Sequence, residues 1–271
     1  MSDTNIRALV LTGFGLNCDM ETAHTCELAG AKAERVHINA LIDRDVRLAD
    51  YQIMIFGGGF SWGDDHGAGV VQAVRMKTGL GDDLLEFVAR DHLIIGICNG
   101  FQTLVNLGLL PGLDSDYTAR KVALIGNDTG NFRNDWVRLI VDPASACVFT
   151  RGISQIDLPV RHGEGKFYTD AHTHRRLAEG GQIVLRYALS SGSPAKGAWP
   201  ENPNGSLDDI AGICDPTGRI LGLMPHPEGY HDPSHHPDWP LRREMICRGR
   251  LFPSEPAGLR IFRNAVRYFS R

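Results

Sequence analysis

The chain has 271 residues, enough to bury one large core or two modest domains. It is 42% hydrophobic and 22% charged, and its net charge of −4 gives no electrostatic reason to expect nucleic acid or an anionic membrane as a partner. No apolar run approaches the length of a membrane span, and the stretch 8–11 is too short for the core of a signal peptide.

The six cysteines, at 18, 26, 98, 147, 214 and 247, form no CxxC pair. Neither a disulfide framework nor a zinc finger is therefore expected, and a reducing, cytoplasmic location is. In chain order, residues 8–11 read as a first strand. Gly13-Phe14-Gly15 begins a dinucleotide fingerprint, but Cys18 occupies the position of its third glycine, so no nicotinamide or flavin site is expected. The spacing predicts a helix over 19–29 closed by Gly30, strands over 33–38 and 53–56, and a helix over 82–90. A strand over 93–97 and a helix over 99–107 follow. Near the other end an apolar strand precedes Pro225, and Leu259, Phe262, Val266 and Phe269 mark a helix over 257–269 packed on a sheet. That rhythm predicts a three-layer α/β fold, a mainly parallel twisted sheet with helices on both faces. No linker or repeat splits residues 1–271, which read as one domain with a Pro- and His-rich excursion at about 230–256. No GxxxxGK[ST] loop is present, so ATP is not expected to bind through one.

Three strand ends carry chemistry. Leu93-Ile-Ile-Gly-Ile runs into Cys98, Asn99 and Gly100, the pattern of a strand, a cramped turn and a helix start with a thiol at the tip. Such a turn strains the thiol's own dihedrals and needs small neighbours, and the helix dipole favours the thiolate. A lone cysteine of this kind most often packs, and its meaning here comes from a second strand end. In Met224-Pro225-His226-Pro227-Glu228 the prolines favour extended backbone, so His226 and Glu228 share a face, as needed for a carboxylate that orients an imidazole. Third, the strand 53–56 runs into Gly57, Gly58 and Gly59. An amide from that loop and the amide of Asn99 are candidates for an oxyanion hole, in which losing one donor typically costs roughly a hundred- to a thousandfold in rate. In a doubly wound sheet, ligands bind beyond the carboxyl ends of strands, where all three groups fall.

With these residues in place the chain resembles the class I glutamine amidotransferases, and within them the glutaminase subunits of phosphoribosylformylglycinamidine synthase. The carrying motifs are Gly96-Ile-Cys98-Asn-Gly-Phe-Gln102, Gly58-Gly-Phe-Ser-Trp-Gly-Asp64 and His162-Gly-Glu-Gly165, with Asn202-Pro-Asn-Gly-Ser206 and Leu221-Gly-Leu-Met-Pro-His226-Pro-Glu228. The resemblance implies a flavodoxin-like fold and a Cys98–His226–Glu228 triad. It also implies an oxyanion hole from Gly58, Gly59 and Asn99, and glutamine contacts from Gln102, His162, Gly163 and Glu164. It further implies no cofactor or metal in this chain, ammonia delivered to a synthetase subunit that uses ATP and Mg2+, and a small bridging subunit. Two positions depart from the family: Gly57 stands where proline is common and Gly229 where arginine is usual. His231, His235 and His236 lack a regular ligand spacing, so no metal site is expected there. The residues alone leave open another class I amidotransferase, a gamma-glutamyl thiol hydrolase or, least in accord with an intact triad, a non-enzymatic scaffold.

Overall fold

The computed structural model describes residues 6–253 and 255–270. In chain order the strands are β1 (Arg7–Thr12), β2 (Lys32–His37), β3 (Ile53–Phe56), β4 (Leu93–Ile97), β5 (Ala123–Gly126), β6 (Arg133–Val141), β7 (Gln155–His162), β8 (Glu164–Tyr168), β9 (Ile183–Ala188), β10 (Ile210–Cys214) and β11 (Ile220–Leu223). The helices are α1 (Asp19–Ala29), α2 (Ile38–Ile42), α3 (Val70–Ala89), α4 (Asn99–Leu107), α5 (Ala171–Glu179), α6 (Trp239–Cys247) and α7 (Ala257–Tyr268).

Nine strands form one sheet in the order β2-β1-β3-β4-β11-β10-β9-β6-β7, and β5 and β8 pair as a separate ribbon. From β2 to β11 every pairing is parallel. Every residue of β3, β4 and β11 is buried, as expected of strands covered on both faces, and this explains their unbroken apolar sequences. Helices α1 and α7 pack on each other in one layer, and α2, α3 and α4 form the other. The apolar stripe expected at the carboxyl end of the chain is real: Leu259, Phe262 and Val266 of α7 are buried.

Two of the boundaries that differ from expectation have a visible cause. Strand β2 stops at His37, whose Nδ1 accepts from the Asn39 amide at 3.2 Å and so caps α2, which takes Ile38. Helix α3 begins at Val70, well before residue 82, with Gly79 and Gly81 inside it. Gly79 is tolerated because α2 lies against it: a Cβ there would sit 2.9 Å from Ile42 Cγ1.

The remaining strands are antiparallel, from β11 through β10, β9 and β6 to β7. Strand β6 pairs with β9 through residues 138–141 alone, and its first half continues with β7 as an arm. The arm reaches the ends of β4 and β11: the His226 amide donates to Pro159 O at 2.8 Å. The segment after residue 230 is tied at its base. His236 is buried, its ring 4.9 Å from that of Trp136 and 5.7 Å from that of Tyr230, and it accepts from Arg242 Nη2 at 2.8 Å. Helix α6 beyond it buries no residue.

Candidate active site

Strand β4 hands directly into α4 at Cys98, whose φ of 52° and ψ of −108° lie outside the ordinary regions. Its neighbours explain how the turn survives. A Cβ on Gly100 would stand 2.0 Å from Phe56 O, and one on Gly96 would stand 2.7 Å from Gly100 O, so any side chain at either place would push the elbow apart. The Cys98 amide donates to Leu223 O at 2.8 Å, and the thiol points at Arg161 O, 3.6 Å away.

Parallel pairing brings in the second group. Ile97 and Leu223 are register partners, so the chain leaving β11 passes beside Cys98 and reaches His226 three residues later. His226 Nδ1 and Glu228 Oε1 stand 2.5 Å apart, with the two residues only 2% and 1% exposed. Burial is the largest single influence and opposes a charge on the ring, but the Glu228 carboxylate and the adjacent Cys98 and Cys18 thiols together outweigh it. The His226 pKa is therefore raised well above its ordinary value. With Nδ1 engaged by the carboxylate, Nε2 has no hydrogen-bond partner, and neither does Glu228 Oε2.

The glycine loop lies against this pair. Gly58 O accepts from the amides of Asn17 and Cys18 at 3.3 and 3.4 Å, which fixes the peptide that follows β3. Asn99 ties the loop to α4: its Oδ1 accepts from the Ser61 amide at 3.4 Å, and its Nδ2 donates to Asp64 Oδ1 at 3.1 Å. Trp62, Asp64 and His66 all adopt positive φ, so this loop stores strain beside the site. Burial and then the Glu164 charge push the Asp64 carboxyl up to about 6, against the opposing Asn99 hydrogen bond. At the two departing positions, a Cβ on Gly57 would meet nothing nearer than 4.0 Å, whereas Gly229 has Arg161 Nη2 within 3.6 Å of where its Cβ would be.

The remaining candidates converge on the same side. Gln102 uses both ends of its amide within the protein, accepting from Asn99 Nδ2 at 3.2 Å and donating to Glu164 O at 2.5 Å. It thus clamps α4 onto β8, and a glutamine contact through this side chain requires one of those bonds to open. Glu164 Oε2 accepts from the Ala68 amide at 3.3 Å, while Gly163 O and His162 O both accept from Asn127. His162 is buried, and Asn204 Nδ2 lies 3.0 Å from its Nε2. Ser206 donates to Asn204 Oδ1 from both its amide and its hydroxyl, which fixes Nδ2 as the donor. His162 therefore carries its proton on Nδ1, which has no partner. Burial, with the His226 and Arg133 charges, holds its pKa down at about 3, so the ring is neutral.

Sequence reasoning missed two residues that border the site. Cys18 counts there merely as a failed glycine position, yet its thiol borders the His226 ring. Asn204 belongs to a motif quoted for resemblance, with no role attached, and its position inside an Asn- and Gly-rich loop was the one available signal.

A thiol on a strand-to-helix elbow beside a buried imidazole–carboxylate pair, all at strand ends of an α/β sheet, is the apparatus of a thiol-dependent amide hydrolase. The chain belongs to the CobB/CobQ-like glutamine amidotransferase family, whose domain model matches residues 5–269. It is 48% identical over 267 residues to the phosphoribosylformylglycinamidine synthase subunit PurQ of Methanococcus maripaludis, covering 98% of each chain. It is 44% identical over 265 residues to the PurQ subunit of Dehalococcoides mccartyi, again covering 98% of each. Among solved structures it resembles a chain of PurLQS from Thermotoga maritima, with a TM-score of 0.71 and 29% identity over 97% of this chain and 99% of that one. Among the described residues, no helix is long and apolar enough to cross a membrane.

Proposed function

We propose that the chain is the glutaminase subunit of a phosphoribosylformylglycinamidine synthase, supplying ammonia for purine biosynthesis in the cytoplasm. The observation that carries the chemical part is the buried His226–Glu228 pair, its Nε2 unpartnered and the elbow cysteine beside the ring. Cys98 Sγ attacks the side-chain amide carbon of glutamine, and His226 takes the thiol proton and passes it to the departing ammonia. Glu228 holds the ring and balances its charge while it is protonated. The amides of Asn99 and of Gly58 or Gly59 receive the tetrahedral oxyanion, whose build-up they stabilise without reorganising. Water then attacks the thioester, releasing glutamate and restoring the thiol. His162, Gly163 and Glu164 line the glutamine side, and the neutral His162 offers its Nδ1–H as a donor.

Near-full-length likeness to PurQ subunits supports the choice of pathway. In this reading the ammonia passes to a synthetase subunit, which uses ATP and Mg2+ to convert formylglycinamide ribonucleotide to its amidine, and a small bridging subunit completes the assembly. The test uses the reconstituted complex with Cys98→Ala. Glutamine-dependent synthesis should fall by about 10⁶-fold, as for loss of a covalent nucleophile, while synthesis from added ammonia persists. Loss of both activities would overturn the division of labour. Labelling by a glutamine-like diazoketone anywhere but Cys98 would overturn the nucleophile.

A further inference from the structure

One buried thiol beside the site takes no part in the mechanism above. Cys18 immediately precedes α1, is 6% exposed, and its Sγ has Asn17 Oδ1 at 3.4 Å as its hydrogen-bond acceptor. Its sulfur, a ring nitrogen of His226 and a carboxylate oxygen of Glu228 all lie within 4.8 Å of one another. Thiolate, imidazole and carboxylate are the three side-chain ligand types of Zn2+, bound at about 2.0–2.3 Å, so tetrahedral ligand atoms stand about 3.5 Å apart. Closing the present trio onto one ion takes side-chain shifts on the order of an ångström. Two further observations point to a ligand there. Glu228 Oε2 is buried without a partner. The space between thiol and ring is also held open by the lack of a side chain at Gly58, where a Cβ would stand 3.0 Å from Cys18 Sγ and 2.7 Å from His226 Cε1.

We propose that Cys18, His226 and Glu228 form an inhibitory Zn2+ site superposed on the catalytic pair. A bound ion takes the imidazole and its carboxylate as ligands, so the ring can no longer shuttle a proton. On binding, Cys18 gives up its thiol proton and His226 gives up the proton on its ligating nitrogen, both to solvent, and the fourth position falls to water or to Cys98, which also borders the ring. The set joins one soft thiolate and one imidazole to a single carboxylate, so Mg2+, which prefers all-oxygen octahedral shells, does not compete. Metal binding stands on the geometry alone, and its inhibitory consequence rests on the glutaminase reading.

The experiment has two arms. In the first, glutamine hydrolysis by the full chain with its synthetase partner is titrated with zinc chloride in a metal buffer, with magnesium chloride as control. Zinc should inhibit reversibly on chelation. Cys18→Ala and the volume-preserving Cys18→Ser should stay active without metal and need at least about tenfold more zinc for half inhibition, since loss of even an outer-shell partner costs that much affinity. In the second arm, zinc binding to Cys98→Ala is measured by competition with a chromophoric chelator. One equivalent should bind, and affinity should fall at least about tenfold in Cys18→Ala/Cys98→Ala. An unchanged inhibition midpoint in both Cys18 variants, or no binding by Cys98→Ala, would overturn the site. Because the second arm needs no turnover, its failure is distinct from failure of the glutaminase reading.

Discussion

The two halves of the sheet divide the site between them. The parallel half, β2 to β11, delivers Cys98, His226 and the glycine loop at strand ends. The antiparallel half contributes mostly backbone and packing: Pro159 O on the His226 amide, Arg161 O facing the Cys98 thiol, and His162 buttressed by Asn204. In the proposed mechanism, the groups that change protonation or bonding thus sit where parallel strands converge, while the antiparallel arm sets their orientation. If this division holds, damage to the first half removes chemistry, and damage to the second loosens binding and stability.

The sharpest way to break the contrast is His226→Ala, which removes the proposed base. Glutamine hydrolysis should fall by about 10⁴- to 10⁶-fold with the fold intact, measured by glutamate release and circular dichroism. A loss under tenfold would mean the parallel half does not hold the chemistry. Asn204→Ala probes the other half. It strands the buried His162 Nε2 and leaves Gly165 O only the longer Ser206 hydroxyl bond, so stability should drop by about 1–3 kcal/mol in urea unfolding. The KM for glutamine should rise more than kcat falls, and the reverse pattern would place Asn204 with the chemistry.

A third test concerns pH. His162 titrates near its ordinary value when unfolded but is held down to about 3 in the fold. As pH falls below about 6.5 the unfolded chain takes the proton first, so this residue's stabilisation, complete above that pH, is progressively lost toward pH 3. From pH 7.5 to 5 the loss is about 2 kcal/mol, and His162→Gln should flatten that part of the wild-type slope. Equal slopes would show the ring to be protonated in the fold. Smallest of all, Arg248→Ala, just past the end of α6, breaks an exposed pair with Glu244 and should change stability by less than about 0.5 kcal/mol.

What was legible in the sequence was what local sterics dictate. Gly96 and Gly100 around Cys98, the prolines around His226 and the glycines after β3 each answer a backbone demand made within a few residues. The parallel strands were readable because burial on both faces leaves them uniformly apolar. Strands β6 and β7 were not assigned, because Arg133-Asn-Asp-Trp and Gln155-Ile-Asp-Leu mix charge with apolar residues in an arm buried on one face. Helix α3 was shortened because Gly79 and Gly81 look like breakers until Ile42 is seen against the first of them. The Cys18 and Asn204 contacts join residues far apart in the chain, and no local pattern announces them.

The hydrogen bond from the Cys98 amide to Leu223 O carries a practical consequence. The proposed nucleophile and base are aligned by the same ladder that zips β4 to β11, so neither strand can detach while the Cys98–His226 pair stays assembled. Deuterium uptake at that single amide is therefore a gauge of competence: during thermal ageing its protection and the turnover rate must vanish together.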